Sequence, residues 1–210
     1  MAVVRVREHV NPLSRKYQVA ATLPDWAQVY GQADQPLHLD IGCGRGRFLL
    51  QMAPQHPNWN FLGLEIREPL VDQANQWRED AGLQNLFYLF CNANTSIAPL
   101  LRSLPPQCLQ RVTIQFPDPW FKRRHQKRRV VQPELVDAIA QFLVSGGEVF
   151  LQSDIAEVAI DMRDRFYEHA AFRPTSEDWL PTNPMPIPTE RELSTLERSE
   201  PVYRALFMRQ

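Results

Sequence analysis

The chain is short of cysteine, of long apolar runs and of repeats, and each shortage removes a class of answer. Only Cys43, Cys91 and Cys108 occur in 210 residues, with no CxxC or CxxH spacing. An odd, scattered set gives no disulfide framework and no zinc site, so neither disulfides nor a metal is expected. No apolar stretch approaches the roughly 20 residues that a membrane-spanning helix needs. The opening MAVVRVR lacks the apolar core of a secretory signal. A cytoplasmic protein with no membrane association is expected. Repeats and low-complexity tracts are missing too. With 44% hydrophobic and 22% charged residues, the composition is that of a chain with a sizeable core. One α/β domain is the default for this length.

Acids are missing from one further place. Residues 122–129, KRRHQKRR, hold six Lys/Arg and no Asp or Glu. Taking those six from the 23 basic residues leaves 17 against 24 acidic ones, a balance of −7. One basic patch on an otherwise acidic body is the pattern of a localised anion-binding face.

What is present is an alternation of strands and helices. Short apolar stretches at 37–41, 61–66, 86–91, 112–116, 148–152 and 202–208 predict strands. Between them, 47–53, 69–81, 96–104, 133–143 and 155–169 predict helices. Pro54 ends the first of these; Pro69 and Gly82 bracket the second; Pro105-Pro106 closes the third. This alternation predicts a doubly wound, mostly parallel central sheet with helices on both faces, a Rossmann-like α/β fold. The last strand is expected to be antiparallel, near the C-terminus. Residues 1–35 predict a basic arm with Arg5, Arg7, Arg15 and Lys16, then a short helix at 26–31; residues 36–210 predict a single domain. Residues 181–188, PTNPMPIP, hold four prolines and predict a surface loop, inside a substrate-binding segment at about 173–200.

In such a sheet, ligands bind beyond the carboxyl ends of the strands. The first strand ends in Asp40-Ile41-Gly42-Cys43-Gly44-Arg45-Gly46, where Gly42 and Gly44 let the backbone approach a ligand. The second ends in Gly63-Leu64-Glu65, an acid about 20 residues past the loop and suited to ribose hydroxyls. The third ends at Asn92-Ala93, where an amide can address an adenine. The loop is G-x-G-x-G, not the dinucleotide pattern G-x-G-x-x-G, and an acid precedes it. Asp40 would repel a pyrophosphate and attract an ammonium and a sulfonium. That favours S-adenosylmethionine over NAD. A tight turn explains the glycines by themselves, but not acids and an amide at successive strand ends.

The fourth strand ends in Phe116-Pro117-Asp118-Pro119-Trp120, then Phe121 and the cations of 122–129. Two prolines stiffen the backbone around Asp118. An acid so held can accept from guanine N1–H and N2–H, and an aromatic can stack on a base. Core packing explains Phe121 as well as stacking does. Six cations with no acid among them repel one another, and phosphate binding rewards them through counterion release.

Leu39 to Gly46, Gly63-Leu64-Glu65-Ile66, Gln115 to Trp120 with Lys122 and Lys127-Arg128-Arg129, Ser153-Asp154 and Thr189-Glu190-Arg191-Glu192 together resemble the bacterial tRNA (guanine-N7-)-methyltransferase family. The resemblance runs from the basic arm nearly to the C-terminus. It implies a class I methyltransferase fold, S-adenosylmethionine as cofactor, tRNA as partner, and methylation of guanine 46 in the tRNA variable loop. By this resemblance Asp40, Gly42, Gly44, Glu65, Asn92, Ala93 and Asp118 contact the cofactor, and Asp118 is also the catalytic acid. Lys122, Asp154, Thr189, Glu190, Arg191 and Glu192 bind substrate. Arg124, His125, Gln126, Lys127, Arg128 and Arg129 bind RNA. A monomer or homodimer is expected. Relatives often carry Glu where Asp40 stands, Asp where Asn92 stands, and an aromatic where Arg191 stands.

Guanine N7 has a lone pair and no proton, so its methylation calls for positioning and electrostatics, not a general base. Methylation acidifies N1–H, so Asp118 is expected to orient and stabilise the base. Lys122 is expected to hold a phosphate or the base carbonyl. Asp154 also suits a helix N-cap, and Thr189 with Glu192 has capping-box spacing. Two other functions fit the fold: methylation of a small molecule or protein, and RNA binding without catalysis. The basic run argues against the first, and intact Asp40, Glu65 and Asp118 against the second.

Overall fold

The computed structural model describes residues 10–210. Arg5 and Arg7 of the expected basic arm lie outside the described residues. Seven strands form one sheet in the order β3-β2-β1-β4-β5-β7-β6. They are β1 (Leu37–Ile41), β2 (Asn60–Glu65), β3 (Leu86–Phe90), β4 (Leu109–Gln115), β5 (Glu148–Ser153), β6 (Phe172–Pro174) and β7 (Tyr203–Arg209). β1 to β5 pair in parallel, and β7 runs antiparallel to both β5 and β6. The chain enters the sheet at β1, winds outward through β2 and β3, then crosses back to β4. That reversal between β1 and β4 is the topological switch point, where such sheets open a crevice at their carboxyl ends.

The helices are α1 (Trp26–Val29), α2 (Arg47–Met52), α3 (Glu68–Asp80), α4 (Ala93–Ser103), α5 (Pro133–Phe142), α6 (Ala156–Tyr167) and α7 (Glu190–Glu197). β1 and β2 are buried at every position, as parallel strands covered on both faces must be. One apolar cluster packs Leu100 of α4, Leu135 and Ile139 of α5 and Phe166 of α6 against Leu39, Val112 and Val149. A second packs Phe48 and Met52 of α2 and Val71 of α3 against Phe61 and Tyr88.

Several boundaries differ from expectation for local reasons. α4 starts at Ala93, not 96, because Asn92 caps it by accepting from the Asn94 N–H at 3.2 Å. Pro54 does not stop the helical path after α2; it sits in a 3₁₀ turn, Ala53–Gln55, that carries the path on. Two elements were not expected: the short edge strand β6, and α7 inside the segment read as a loop.

Gly63 on β2 shows how the sheet fixes the glycine loop. A Cβ there would lie 2.6 Å from Tyr88 Cδ1 and 2.8 Å from Cys43 Sγ. The missing side chain lets the Tyr88 ring cross β2, and its hydroxyl donates to the Gly46 carbonyl at 2.5 Å. Gly63→Ala should therefore push Tyr88 off the loop and lower stability by about 1–3 kcal/mol. Urea unfolding measures this; an unchanged midpoint would show that the ring has room to move.

Candidate active site

Two adjoining hollows open at the carboxyl ends of β1 to β5. The larger, about 670 Å³, is lined by Asp40, Gly42, Gly44, Arg47, Gln115, Asp118, Asp154, Thr189, Glu190 and Arg191, among others. The smaller, about 120 Å³, is lined by Ile41, Leu64, Glu65, Arg67, Cys91, Asn92, Ala93, Trp120 and Arg128, among others. Asp118, Gly42 and Arg67 border both. Residues expected to contact the cofactor thus meet at one cleft, drawn from four strand ends.

Asp40 is buried at the end of β1 and accepts from the Thr113 hydroxyl at 2.6 Å and the Gln115 amide at 3.3 Å. Burial pushes its carboxyl up from 3.8 to about 6, and the charge of Glu65 adds to this, while the two hydrogen bonds pull it back. Glu65 is buried as well. It accepts the Gly44 N–H at 2.9 Å, which the left-handed φ of +59° at Gly44 aims toward it. The other partner of Glu65 is Arg67, which the sequence reading missed. Its Nε reaches Oε1 at 2.8 Å and its Nη2 reaches Oε2 at 3.0 Å. Burial works against the Arg67 charge, but the bond and charge of Glu65, with the charge of Asp118, more than offset it. The signal was an arginine two residues past a strand-end acid.

Asn92 lines the smaller hollow, and its side chain has partners within the chain. Its amide donates to the carbonyls of Pro12 at 3.1 Å and Tyr17 at 3.0 Å. The side chain ties down the N-terminal segment, whose Val10 and Pro12 line the smaller hollow. Ala93 opens α4 at the same wall.

The Asp118 loop is both strained and clamped. Phe116 and Trp120, at its two ends, have φ of +50° and +42°, a region non-glycine residues occupy at a cost. Arg129 secures it. The Arg129 Nε donates to the Pro119 carbonyl at 2.9 Å, and its Nη atoms pair with Glu157 at 2.5 Å and Asp161 at 3.4 Å. Only 4% of Arg129 is exposed, so it faces inward and not toward RNA; the expectation for it is corrected. Arg128 lies 4.9 Å above the Trp120 ring, a cation–π contact. Lys122, Arg124 and Lys127 are exposed around the 3₁₀ turn Arg123–Arg128, with His125 and Gln126 half-buried in it. Gln126 donates to Glu157 at 3.3 Å. Phe121 is 64% exposed beside them, so core packing does not account for it.

On the opposite wall, Asp154 accepts from Arg191 at 2.5 and 2.9 Å. It does not cap α6, where no side chain caps the helix and the Ile155 N–H goes to the Ser153 hydroxyl at 3.1 Å. Thr189 caps α7 by accepting the Glu192 N–H at 3.1 Å. Glu192 does not close a capping box. Its carboxylate, with the residue 1% exposed, turns inward to Arg204 at 2.7 Å. Glu190 pairs with Arg47 across the cleft. Among the described residues no group of three His, Cys, Asp or Glu could hold a metal ion, and no helix is long and apolar enough to cross a membrane.

The apolar side of the smaller hollow suits a flat ring, Glu65 a pair of hydroxyls, and Asp40 a cationic chain end. Folding holds the Asp40 proton more tightly than the unfolded chain does. The charged form therefore weakens folding as pH rises from the ordinary carboxylate value through about 6. Asp40→Asn keeps an oxygen for Thr113 and Gln115, so it should stabilise the protein by about 3 kcal/mol at pH 8. The gain should vanish toward pH 4. Urea unfolding at the two pH values checks it; equal effects at both would contradict it.

Residues 34–205 match the family described as "Putative methyltransferase". The chain is 64% identical to the tRNA (guanine-N(7)-)-methyltransferase of Synechococcus elongatus over 210 residues, covering all of this chain and 99% of the relative. It is 64% identical over 207 residues to the protein of that name from Trichormus variabilis, covering 98% and 96%. The solved precorrin-6y C5,15-methyltransferase of Geobacter metallireducens superposes with a TM-score of 0.55 at 15% identity, covering 87% and 85% of the two chains. That likeness extends to the fold, a class I methyltransferase fold. The chain is a methyltransferase that uses S-adenosylmethionine, and it belongs to the tRNA (guanine-N7-)-methyltransferase family.

Proposed function

We propose that this enzyme methylates N7 of guanine 46 in the variable loop of tRNA, working in the cytoplasm. The observation that carries this is the placement of Asp118. It stands on a clamped, strained loop where the two hollows meet, and the exposed cations Lys122, Arg124 and Lys127 follow directly. A carboxylate so fixed suits the N1–H and N2–H edge of a guanine, and the cations beside it suit the phosphates of folded RNA.

When bound, S-adenosylmethionine supplies a methyl group on a positively charged sulfur. Asp40 holds the ammonium of its methionine end, Glu65 its ribose hydroxyls, and the chain at Ala93 its adenine. Asp118 orients the guanine and offsets the positive charge that the ring gains. Guanine N7 needs no deprotonation, so no residue acts as a base there. Thr189, Glu190, Arg191 and Asp154 form the far wall against the base, and Glu192 braces that wall from behind. Lys122 holds a phosphate or the base carbonyl. This is catalysis by placement and by fixed charge.

Unmodified tRNA incubated with methyl-labelled S-adenosylmethionine should take up label, and chemical cleavage at N7-methylguanine should map it to position 46. Label on a free metabolite, on protein or at another nucleotide would overturn the assignment. Asp118→Asn should lower turnover by about a hundredfold or more; near-normal turnover would remove Asp118 from its role.

The basic run should divide by exposure. Arg124→Ala with Lys127→Ala should weaken tRNA binding and reduce its salt slope by about two. Arg129→Ala should instead destabilise the protein by about 1–3 kcal/mol, through loss of the Pro119 bond. Filter binding at several salt concentrations and urea unfolding distinguish the two; a salt slope unchanged by the double variant would take the exposed cations out of the RNA site.

A further inference from the structure

A row of buried hydrogen bonds connects Asp40 to α7. Arg204 on β7 donates to Glu192 Oε1 through Nε at 3.0 Å and Nη2 at 2.7 Å. Glu192 Oε2 accepts from Asn183 at 2.6 Å and from Gln152 Nε2 at 3.3 Å. The same Gln152 nitrogen donates to Gln115 Oε1 at 2.8 Å, and Gln115 Nε2 donates to Asp40 Oδ1 at 3.3 Å. Strand register sets this row, because Gln115 pairs with Gln152 and Gln152 with Arg204. Gln152 has 0% exposure and Gln115 has 8%.

The row has a direction. A guanidinium only donates, and Asn183, whose own oxygen takes the Met185 N–H at 2.8 Å, offers its NH₂, so both Glu192 oxygens accept. Gln152 must therefore turn its NH₂ toward Glu192, and that NH₂ also occupies the oxygen of Gln115. Gln115 is left with its own NH₂ facing Asp40. Either amide reversed would set oxygen against a carboxylate. The arrangement also leaves Gln152 Oε1 buried with no hydrogen-bond partner. A glutamine that served packing alone would not accept that penalty.

We propose that Gln152 and Gln115 are positioning residues that carry orientation from the Arg204–Glu192 pair to Asp40, fixing a donor on Oδ1 so that the carboxylate is held with Oδ2 turned to accept from the ammonium of the cofactor. This rests on the reading of Asp40 as the partner of the methionine end. It makes the wall that holds the acceptor base and the acid that holds the methyl donor one connected unit.

The test uses calorimetric binding of two probes: S-adenosylhomocysteine, which has the ammonium, and methylthioadenosine, which lacks the amino-acid end. Gln152→Met and Gln115→Met keep side-chain length. Each should weaken S-adenosylhomocysteine binding by about tenfold and leave methylthioadenosine within about twofold. The double variant should be no worse than Gln115→Met, since both break one row. Gln115→Met carries the test by itself if Gln152→Met fails to fold. Unchanged S-adenosylhomocysteine binding, or equal weakening of both probes, would overturn the relay. Wild-type protein that binds neither probe would overturn the cofactor site itself, and the relay with it.

Discussion

Asp40 is a carboxylate where burial disfavours its charge, and much of the polar lining of the sheet answers that difficulty. Thr113 and Gln115 donate to it from β4, and Gln115 is turned by Gln152 on β5. Even His38, fully buried two residues earlier on β1, lies 3.1 Å from the Thr113 hydroxyl. Because that hydroxyl gives its proton to Asp40, the His38 Nε2 must be the donor to it. Burial, before the charges of Arg111 and His56, holds His38 well below its ordinary value, so the ring is neutral. A row of apolar residues here would fold more tightly, but it would leave the cleft without a charge for a cationic ligand.

The same exchange governs the Asp118 loop. Two left-handed non-glycine residues raise the energy of the segment, and prolines remove its freedom to relax. Arg129 holds it down, with one bond to the Pro119 carbonyl and two ion pairs to α6. An exposed ion pair adds little, but Arg129 is enclosed and also satisfies a carbonyl that no strand or helix would. Stability is drawn from α6 and applied to the loop.

Strand-end positions were legible in the sequence because a parallel sheet has one place for its ligands. Asp40, Glu65, Asn92 and Asp118 each closed an apolar run, and the fold brought them to one cleft. Arg129 was not legible as a clamp. A run of six cations announces a basic face, but which of them turns inward is decided by a 3₁₀ turn and by acids on α6, Glu157 and Asp161, some 30 residues on. The contacts of Asn92 were hidden for another reason. Its partners, the carbonyls of Pro12 and Tyr17, are backbone groups of an irregular segment, which leave no mark in composition. α7 was hidden by the four prolines before it, although Thr189 and Glu192 carried half of a correct signal. The cap forms, but Arg204, on a strand paired from the far side, takes the glutamate.

Arg67 ties the halves of the cleft together. It donates to Glu65, and its charge faces Asp118. Glu65 and Asp118 are both acids of this cleft, and the charge of Arg67 is favoured by each of them. Lysine would supply the charge but not the two-point contact with Glu65. Two acids from the ends of different strands, Glu65 after β2 and Asp118 after β4, are thus joined through a single cation.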